Sequence, residues 1–276
     1  MEYFTQPVSN ITKLLVGVKR YIINTKTKYQ RLIIADLYEY GKSLILDDLI
    51  QITEVDEVYY HELLVHPLLI THPNPKKILI VGGGDGCALR EVIKHPIEKV
   101  ILVDIDGELV EICKEHFKDI NKNSFNDKRV EVLIMDGKEY VEKTNEVFDC
   151  IILDLTDPFG PEISKELYSS IFYNKVKKIL KEDGIIVTQA GSAFYYKEVY
   201  KNVYNNIAHN FRIVREYSVW IPSFGYSCCF IIGSNIYDPS SLTISTIRER
   251  LRKRRIKSSF YNEYVHKSLF LTPVLK

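Results

Sequence analysis

The chain has 276 residues, of which 46% are hydrophobic, and it is long enough to bury a main domain with a smaller one attached. Its 37 Lys and Arg residues and 36 Asp and Glu residues give a net charge of +1, which favours neither a nucleic-acid partner nor a membrane surface. No apolar run reaches the roughly 18 residues that a membrane span needs, and the N-terminal sequence MEYFTQPVSNITK has no export signal. We therefore expect a cytoplasmic protein.

The five cysteines form no CxxC pair, so the sequence predicts neither a metal site nor a disulfide framework. Two of them, Cys150 and Cys228, lie in apolar runs that resemble strands. We expect all five to be buried thiols: Cys87, Cys113, Cys150, Cys228 and Cys229.

Residues from Leu14 to about Thr53 alternate apolar and polar side chains, with turn signals at NTKTK and YEYGK. This pattern predicts a small antiparallel β domain, which we place at residues 1–56. A helical segment follows from about Glu57 to Thr71, and the sequence THPNPKK ends it with two prolines.

Beyond Lys76 short apolar runs alternate with amphipathic stretches of helix length, such as REVIKH, GELVEICKEHF and YSSIFYNKVKKIL. The predicted strands are Ile78–Val81, Val100–Val103, Val130–Met135, Cys150–Leu155 and Ile185–Gln189. Such βαβ repetition predicts an α/β fold with a Rossmann-like, doubly wound parallel sheet in residues 57–276. The segments SVWIPS and CCFIIGS predict two further strands that pair antiparallel.

A basic run, RERLRKRRIK, lies near the C-terminus. We considered a nucleic-acid patch, but nothing elsewhere in the chain extends the charge. The run is therefore expected to be a solvated helix face.

The sequence IVGGGDGCALREV joins a strand to a helix through Gly82, Gly83 and Gly84, a turn that lets a nucleotide approach the backbone. The next strand ends in Asp104, where an acid accepts hydrogen bonds from ribose hydroxyls. The strand after that leads to Asp136 and Gly137, where a carboxylate can accept from an adenine amino group. Each acid alone could equally cap a helix, but the three together favour a nucleoside site.

Asp85 in the glycine turn restricts the kind of nucleotide. Its carboxylate would repel the pyrophosphate of a dinucleotide, and also the carboxylate of S-adenosylmethionine. A ligand with an amine and no carboxylate at that end would be attracted instead.

The sequence CIILDLTDPFGPE places Asp154 and Asp157 at the end of the fourth predicted strand, the edge where open α/β sheets bind ligands. A turn with an aspartate cap is the alternative interpretation. Two carboxylates beside a cationic nucleotide would suit a polyamine, because acids recognise ammonium groups and one acid can accept a proton.

Together these motifs resemble the polyamine aminopropyltransferases, the spermidine synthase family. The similarity covers nearly the whole chain, through YQ, LILDDLIQITEVDEVYYHE, HPNPKKILIVGGGDG, VDIDGELVE, MDGKEY, DLTDPFGP and WIPSFG. The resemblance implies a fold like that of S-adenosylmethionine methyltransferases. It also implies transfer of an aminopropyl group from decarboxylated S-adenosylmethionine to an amine, with release of 5'-methylthioadenosine, without a metal or other cofactor.

The resemblance assigns roles to matching positions. The residues that would contact the methylthioadenosine part of the donor are Gln30, Asp104, Asp136, Gly137 and Pro161. His61 and Asp85 would contact the aminopropyl arm. Asp154 matches the proton acceptor, Tyr60 and Asp157 match positions that align the attacking amine, and Gln189 and Phe224 complete the acceptor side. The family also implies a homodimer or homotetramer.

The chain departs from the family pattern at the acceptor side. Leu155 replaces a serine, Phe224 replaces a tyrosine, and Ala190 with Gly191 stand where many spermidine synthases have an acid after the strand-end glutamine. A short diamine would lose polar partners there. Two alternatives stay open: a methyltransferase that uses S-adenosylmethionine, and a non-catalytic polyamine-binding protein.

Overall fold

The structure is a computed structural model that describes residues 1–158 and 166–274. The N-terminal part forms a five-stranded antiparallel sheet in which the strands follow chain order. These strands are β1 (Glu2–Pro7), β2 (Lys13–Lys26), β3 (Arg31–Leu37), β4 (Gly41–Leu46) and β5 (Leu49–Thr53). The sheet confirms the predicted antiparallel β architecture.

The first strand, β1, was not predicted, because one of its inward-facing residues is polar. Gln6 is 1% exposed, and its Oε1 accepts a 2.9 Å hydrogen bond from the amide of Ile50 in β5. A glutamine at an inward position hides the alternation of apolar and polar residues that indicates a strand.

A mixed, mostly parallel sheet of seven strands forms the second layer, in the order β11-β12-β10-β9-β6-β7-β8. Its strands are β6 (Lys77–Gly82), β7 (Lys99–Asp104), β8 (Val130–Ile134), β9 (Phe148–Asp154), β10 (Leu180–Gln189), β11 (Ile213–Ile221) and β12 (Tyr226–Ser234). Strands β6 to β10 pair parallel, and β11 and β12 pair antiparallel. The strand order reverses between β6 and β9, which is where ligands bind in sheets of this kind.

Helices cover this sheet: α1 (Glu57–Thr71), α2 (Cys87–Ile93), α3 (Gly107–His116), α4 (Lys118–Asn121), α5 (Gly137–Lys143), α6 (Ser170–Lys178), α7 (Lys197–Ala208), α8 (Ile244–Arg254) and α9 (Glu263–Leu269). The Rossmann-like fold is thereby confirmed, and α1 has the predicted bounds. Helix α1 is buried on nearly all sides and packs against α2, β10 and β11. Most of its side chains are apolar, and the polar ones that it buries include Glu57, His61, Glu62 and His66.

The two sheets share one apolar core. Ile33 of the first sheet, Leu64 of α1 and Ile152 of β9 belong to the same cluster of buried side chains. All five cysteines are buried and free, as predicted. Among the described residues, no helix is both long enough and apolar enough to cross a membrane.

The basic run near the C-terminus is only partly a solvated face, which corrects the prediction from sequence. The guanidinium of Arg254 donates to the carbonyl oxygens of Leu69, His72 and Pro73 at distances of 2.6 to 2.7 Å. Arg250 donates in the same way to two carbonyls at the end of α1. Two arginines therefore satisfy the carbonyl groups that the end of a helix leaves unpaired.

Candidate active site

A cleft of about 270 Å³ lies between the first sheet and the carboxyl ends of β6, β7 and β9. It is lined by these predicted site residues: Gln30, Tyr60, His61, Asp85, Asp104, Asp136, Gly137, Asp154, Asp157, Gln189 and Phe224. The structure thus brings them together at one place, although their roles stay predictions. Pro161 lies outside the described residues.

The glycine turn after β6 lies directly against the end of β9. Gly82 has a φ of 81°, and a Cβ at this position would lie 2.1 Å from the carbonyl oxygen of Asp154. The amide of Gly83 donates a 3.1 Å hydrogen bond to the same oxygen. A Cβ at Gly84 would lie 2.7 Å from Oδ2 of Asp104. Only glycines let these two strand ends and the carboxylate of Asp104 approach so closely.

Asp104 ends β7 and is 8% exposed. Its Oδ1 accepts a 2.9 Å hydrogen bond from the amide of Asp106. Burial raises the pKa of Asp104 to about 7, against the lowering effect of the backbone hydrogen bonds. Hydrogen bonds from hydroxyl groups would stabilise the charged form of this carboxylate, so Asp104 is well suited to accept them.

Gln30 lies in the loop between β2 and β3 and is held at the cleft by Asp106. Sequence reasoning did not single out Asp106. Oδ2 of Asp106 accepts from Thr27 Oγ1 at 2.6 Å and from Gln30 Nε2 at 2.8 Å. Oδ1 of the same carboxylate caps α3 at the amide of Leu109. The sequence signal was available, because an aspartate before GELVEIC is a typical helix N-cap.

Asp136 proves to be a helix cap as well as a cleft residue. Its Oδ1 accepts from the amides of Lys138 and Glu139 at 2.7 and 3.4 Å, at the start of α5. The two interpretations of this acid are therefore compatible.

His61 and Asp85 face each other across the cleft. His61 Nε2 lies 3.7 Å from Oδ1 of Asp85, and that oxygen also accepts from the amide of Cys87 at 2.7 Å. Burial lowers the pKa of His61, but the hydrogen bond to Glu57 and the nearby carboxylates outweigh it and raise the pKa to about 9. His61, Asp85 and Asp154 each bring one polar side-chain atom to within 4.8 Å of the others, and the two carboxylates suit an ammonium group.

Asp154 ends β9 beside the glycine turn. The hydroxyl of Tyr60 donates to its Oδ1 at 2.7 Å, whereas its buried Oδ2 has no hydrogen-bond partner among the residues described. Burial and the charge of Asp85 raise the pKa of Asp154 to about 6, although His61 and Tyr60 act in the other direction. The carboxylate is thus a stronger base than an exposed aspartate.

Asp157 receives a 3.3 Å hydrogen bond from the hydroxyl of Tyr226 in β12, and burial raises its pKa to about 6. Sequence reasoning missed Tyr226, which lies two residues after Phe224 in IPSFGYS. Phe224 lies in the turn before β12 and Tyr226 is the first residue of that strand, and both residues line the cleft. Tyr226 thereby brings a hydroxyl to the part of the cleft where Phe224 has none.

Gln189 is held by internal hydrogen bonds. Its Nε2 donates to the carbonyl of Leu155 at 2.7 Å and to the hydroxyl of Tyr168 at 2.8 Å, and its Oε1 accepts from the amide of Gly191 at 2.8 Å. A hydrogen bond from Gln189 also lowers the pKa of Asp157. This arrangement fits a residue that positions Asp157.

The fold and the cleft define a protein of the S-adenosylmethionine-methyltransferase-like architecture, with an acidic site at the switch in strand order. Two family models match the chain: the spermine/spermidine synthase domain over residues 57–238 and the spermidine synthase tetramerisation domain over residues 3–54. The chain belongs to the spermine/spermidine synthase family, and it is therefore a transferase.

Known relatives agree with this assignment. The polyamine aminopropyltransferase of Pyrobaculum aerophilum is 46% identical over 275 residues, covering 98% of this chain and 94% of the relative. That of Thermoanaerobacter pseudethanolicus is 40% identical over 273 residues, covering 98% of this chain and 95% of the relative.

Solved structures give the same result. A spermidine synthase crystallised with the transition-state analogue AdoDATO superposes with a TM-score of 0.92 at 34% identity, covering 99% of this chain and 92% of that one. The spermidine synthase of Thermotoga maritima superposes with a TM-score of 0.90, at the same identity and coverage.

Proposed function

We propose that the protein transfers the aminopropyl group of decarboxylated S-adenosylmethionine to a polyamine acceptor and releases 5'-methylthioadenosine. The observation that carries this proposal is the position of Asp85: a carboxylate inside the glycine turn, 3.7 Å from His61 and lining the same cleft as Asp154. Such a site repels a donor with a carboxylate at that end and attracts one that ends in an ammonium group.

The donor would lie across the ends of β6 to β8. Asp104 would accept from the ribose hydroxyls, Asp136 with Gly137 would hold the adenine end, and Gln30 would cover the nucleoside from the first sheet. Pro161 is proposed for the same group of contacts. His61 and Asp85 would hold the ammonium group of the aminopropyl arm, because their charged or polar atoms line the same part of the cleft.

The reaction is a displacement at the carbon next to the sulfonium. The acceptor nitrogen forms a C–N bond while the C–S bond breaks, and sulfur takes the electron pair to become a neutral thioether. The amine proton would pass to Oδ2 of Asp154, the oxygen that no described group occupies. Tyr60 keeps this carboxylate oriented, and the residues that line the cleft would align the amine with the donor, which accelerates such displacements.

The acceptor side favours a long amine over putrescine. Ala190 is 1% exposed and offers no polar side chain, Phe224 has no hydroxyl, and the amide of Gln189 is engaged internally. Asp157 with Tyr226 is therefore the polar group for a second ammonium charge. We propose agmatine, or a triamine such as spermidine, as a better acceptor than putrescine, because an unmatched buried charge is costly.

The first sheet, within the proposed domain of residues 1–56, would hold subunits together in a homodimer or homotetramer. It exposes Leu15 at 70% and Tyr3 at 54%, and the loop between β1 and β2 exposes Ile11 at 94%. Apolar side chains this exposed on one sheet are typical of a surface that another subunit covers.

Product analysis tests the proposal. The protein is incubated with decarboxylated S-adenosylmethionine and a panel of putrescine, agmatine and spermidine, and the products are identified by mass spectrometry. We expect methylthioadenosine and an amine that is heavier by one aminopropyl group. A methylated amine from a parallel incubation with S-adenosylmethionine would instead support the methyltransferase alternative, and binding of donor and amine without any product would support the binding-protein alternative.

A further inference from the structure

A buried ion pair lies directly behind His61. Glu57 is 7% exposed and lies one helical turn before His61 in α1, and its Oε2 accepts from His61 Nδ1 at 2.8 Å. The carbonyl oxygen of Glu57 lies 2.9 Å from the same nitrogen. Both acceptors require a proton on Nδ1, so the imidazole can neither rotate nor change its tautomer without losing them.

Arg90 of α2 fixes Glu57 in turn. Its Nη1 donates to Oε1 at 2.7 Å and its Nη2 donates to Oε2 at 2.9 Å, which is the two-pronged geometry of a strong arginine–carboxylate pair. Nη1 also donates to the carbonyl of Ile120 at 2.7 Å, and Nε donates to Glu91 at 2.6 Å. Every part of the guanidinium is thus engaged, and the carboxylate of Glu57 has one position.

The consequence is a fixed direction for the other nitrogen of His61. Nε2 lies 3.7 Å from Asp85, and Asp154 offers a ligand atom within the same small cluster. From α2 the thiol of Cys87 also lies within 4.8 Å of His61 and Glu57. The groups that face His61 are therefore one carboxylate on its own helix, two from the sheet edge, a neutral thiol and, behind Glu57, the cation Arg90.

We propose that Glu57, fixed by Arg90, is a positioning residue that makes His61 an exchangeable cation, which carries a proton while the donor is absent and releases it when the ammonium group of the donor binds. This inference rests on the proposed function, because it takes the donor to be decarboxylated S-adenosylmethionine. The sequence motifs assigned no such role to Glu57 or Arg90.

The exchange balances in charge and in protons. With a pKa of about 9, His61 is a cation near neutral pH and compensates the carboxylates of Asp85 and Asp154. A second cation cannot share this space, so the proton leaves Nε2 for the solvent as the ammonium group enters. Glu57 keeps the proton on Nδ1, and the lone pair of Nε2 then accepts a hydrogen bond from the ammonium group. Methylthioadenosine brings no charge, and its binding leaves the proton in place.

Calorimetric titration at pH 8 in two buffers of different ionisation enthalpy measures the proton release. The wild-type protein is titrated with decarboxylated S-adenosylmethionine and, separately, with methylthioadenosine. We expect about one proton to be released per donor bound, and none with methylthioadenosine.

Two variants separate positioning from stability. Glu57→Gln removes the charge behind His61, and its amide can also donate to Nδ1 and so reverse the tautomer. We expect proton release to disappear at pH 8 and donor affinity to fall about tenfold, with methylthioadenosine affinity unchanged. Glu91→Gln is the matched control, because Glu91 is a fully buried partner of the same arginine but faces His66 rather than His61. It should lower thermal stability and leave proton release as in the wild type.

Arg90→Lys keeps the charge but loses the two-pronged contact, so it should give an intermediate loss of proton release. It also provides the test if Glu57→Gln does not fold. Equal proton release by wild type and Glu57→Gln, or donor binding by wild type without any proton release, would overturn the inference. A wild-type protein that binds methylthioadenosine but not the donor would instead contradict the proposed function.

Discussion

The hydroxyl of Tyr60 donates a 2.7 Å hydrogen bond to one oxygen of Asp154, while the other oxygen, Oδ2, lies buried without a partner in the described part of the chain. One oxygen is thus held, and the other has no hydrogen-bond partner among the described residues. The same hydrogen bond stabilises the charged carboxylate, and burial raises the pKa of Tyr60 far above its ordinary value, so the phenol stays protonated.

Removal of this hydrogen bond should change the pH dependence of turnover. Asp154 has a pKa of about 6 and must be unprotonated to accept a proton, so kcat/KM should fall as the pH drops through about 6. Tyr60 lowers that pKa, and Tyr60→Phe should therefore raise it and move the acidic limb to higher pH. A rate profile between pH 5 and pH 9 measures this shift. An acidic limb that stays in place would show that Asp154 does not control it.

Asp154→Asn tests the proton acceptor directly. Loss of a general base typically costs roughly two to four orders of magnitude in rate, so the variant should turn over very slowly. Its affinity for methylthioadenosine should match that of the wild type. Single-turnover kinetics with saturating donor and amine at pH 8 measure the chemical step, and a near-normal rate there would assign the proton to another acceptor.

Asp85→Asn should weaken the binding of the decarboxylated donor and leave the binding of methylthioadenosine unchanged. The amide oxygen can still accept from the amide of Cys87, so the glycine turn keeps its geometry while the charge is lost. Removal of a charge-assisted hydrogen bond weakens binding roughly ten- to a hundredfold, and this loss should affect the decarboxylated donor alone. Dissociation constants for the donor and for methylthioadenosine measure the difference. Equal losses for the two ligands would contradict the assignment of Asp85 to the ammonium group.

Tyr226→Phe should affect the acceptor amine and not the donor. The hydroxyl of Tyr226 lies 3.3 Å from Oδ2 of Asp157 and helps to keep that carboxylate charged. Without it, we expect the KM of a long acceptor to rise about tenfold, with an unchanged KM for the donor. Steady-state kinetics with each substrate varied in turn give both values. A rise in the donor KM alone would place Asp157 on the donor side.

Arg254 should matter for stability and not for catalysis. Arg254→Met keeps the packing of the side chain but leaves three carbonyl groups near the end of α1 without a donor. We expect a loss of about 2 kcal/mol in the free energy of unfolding, measured by urea denaturation, with unchanged kinetics. Lys253→Met is the matched control, because Lys253 is an exposed residue of the same helix and its loss should be nearly neutral.

The sequence predicted those parts of the fold in which one physical signal dominates. Helix α1 ends before Pro73 and Pro75, and the parallel strands are continuous apolar runs, so periodicity and helix breakers located them. Strand β1 was not predicted, because a buried glutamine occupies an inward position and its partner, the amide of Ile50, is far away in the sequence. The hydrogen bonds from the two arginines to the end of α1 were not predicted either, because their partners are also far away in the sequence: 185 residues separate Arg254 from Leu69.

The candidate site shows the same division. The glycine turn and the strand-end acids have local signatures, and the cleft brings Asp85, Asp104 and Asp154 together. Glu57 and Tyr226 have no such signature, because their partners Arg90 and Asp157 belong to other elements. The roles of the site residues, the domain boundary at residue 56 and the cytoplasmic location stay predictions.

We propose that the donor is S-adenosylmethionine without its carboxylate, and that its aminopropyl group is transferred. The most direct measurement follows methylthioadenosine release in parallel reactions with decarboxylated S-adenosylmethionine and with S-adenosylmethionine, each with and without spermidine. We expect one methylthioadenosine per amine modified, only with the decarboxylated donor and only when the amine is present. Formation of S-adenosylhomocysteine from S-adenosylmethionine, with no methylthioadenosine from the decarboxylated donor, would contradict it.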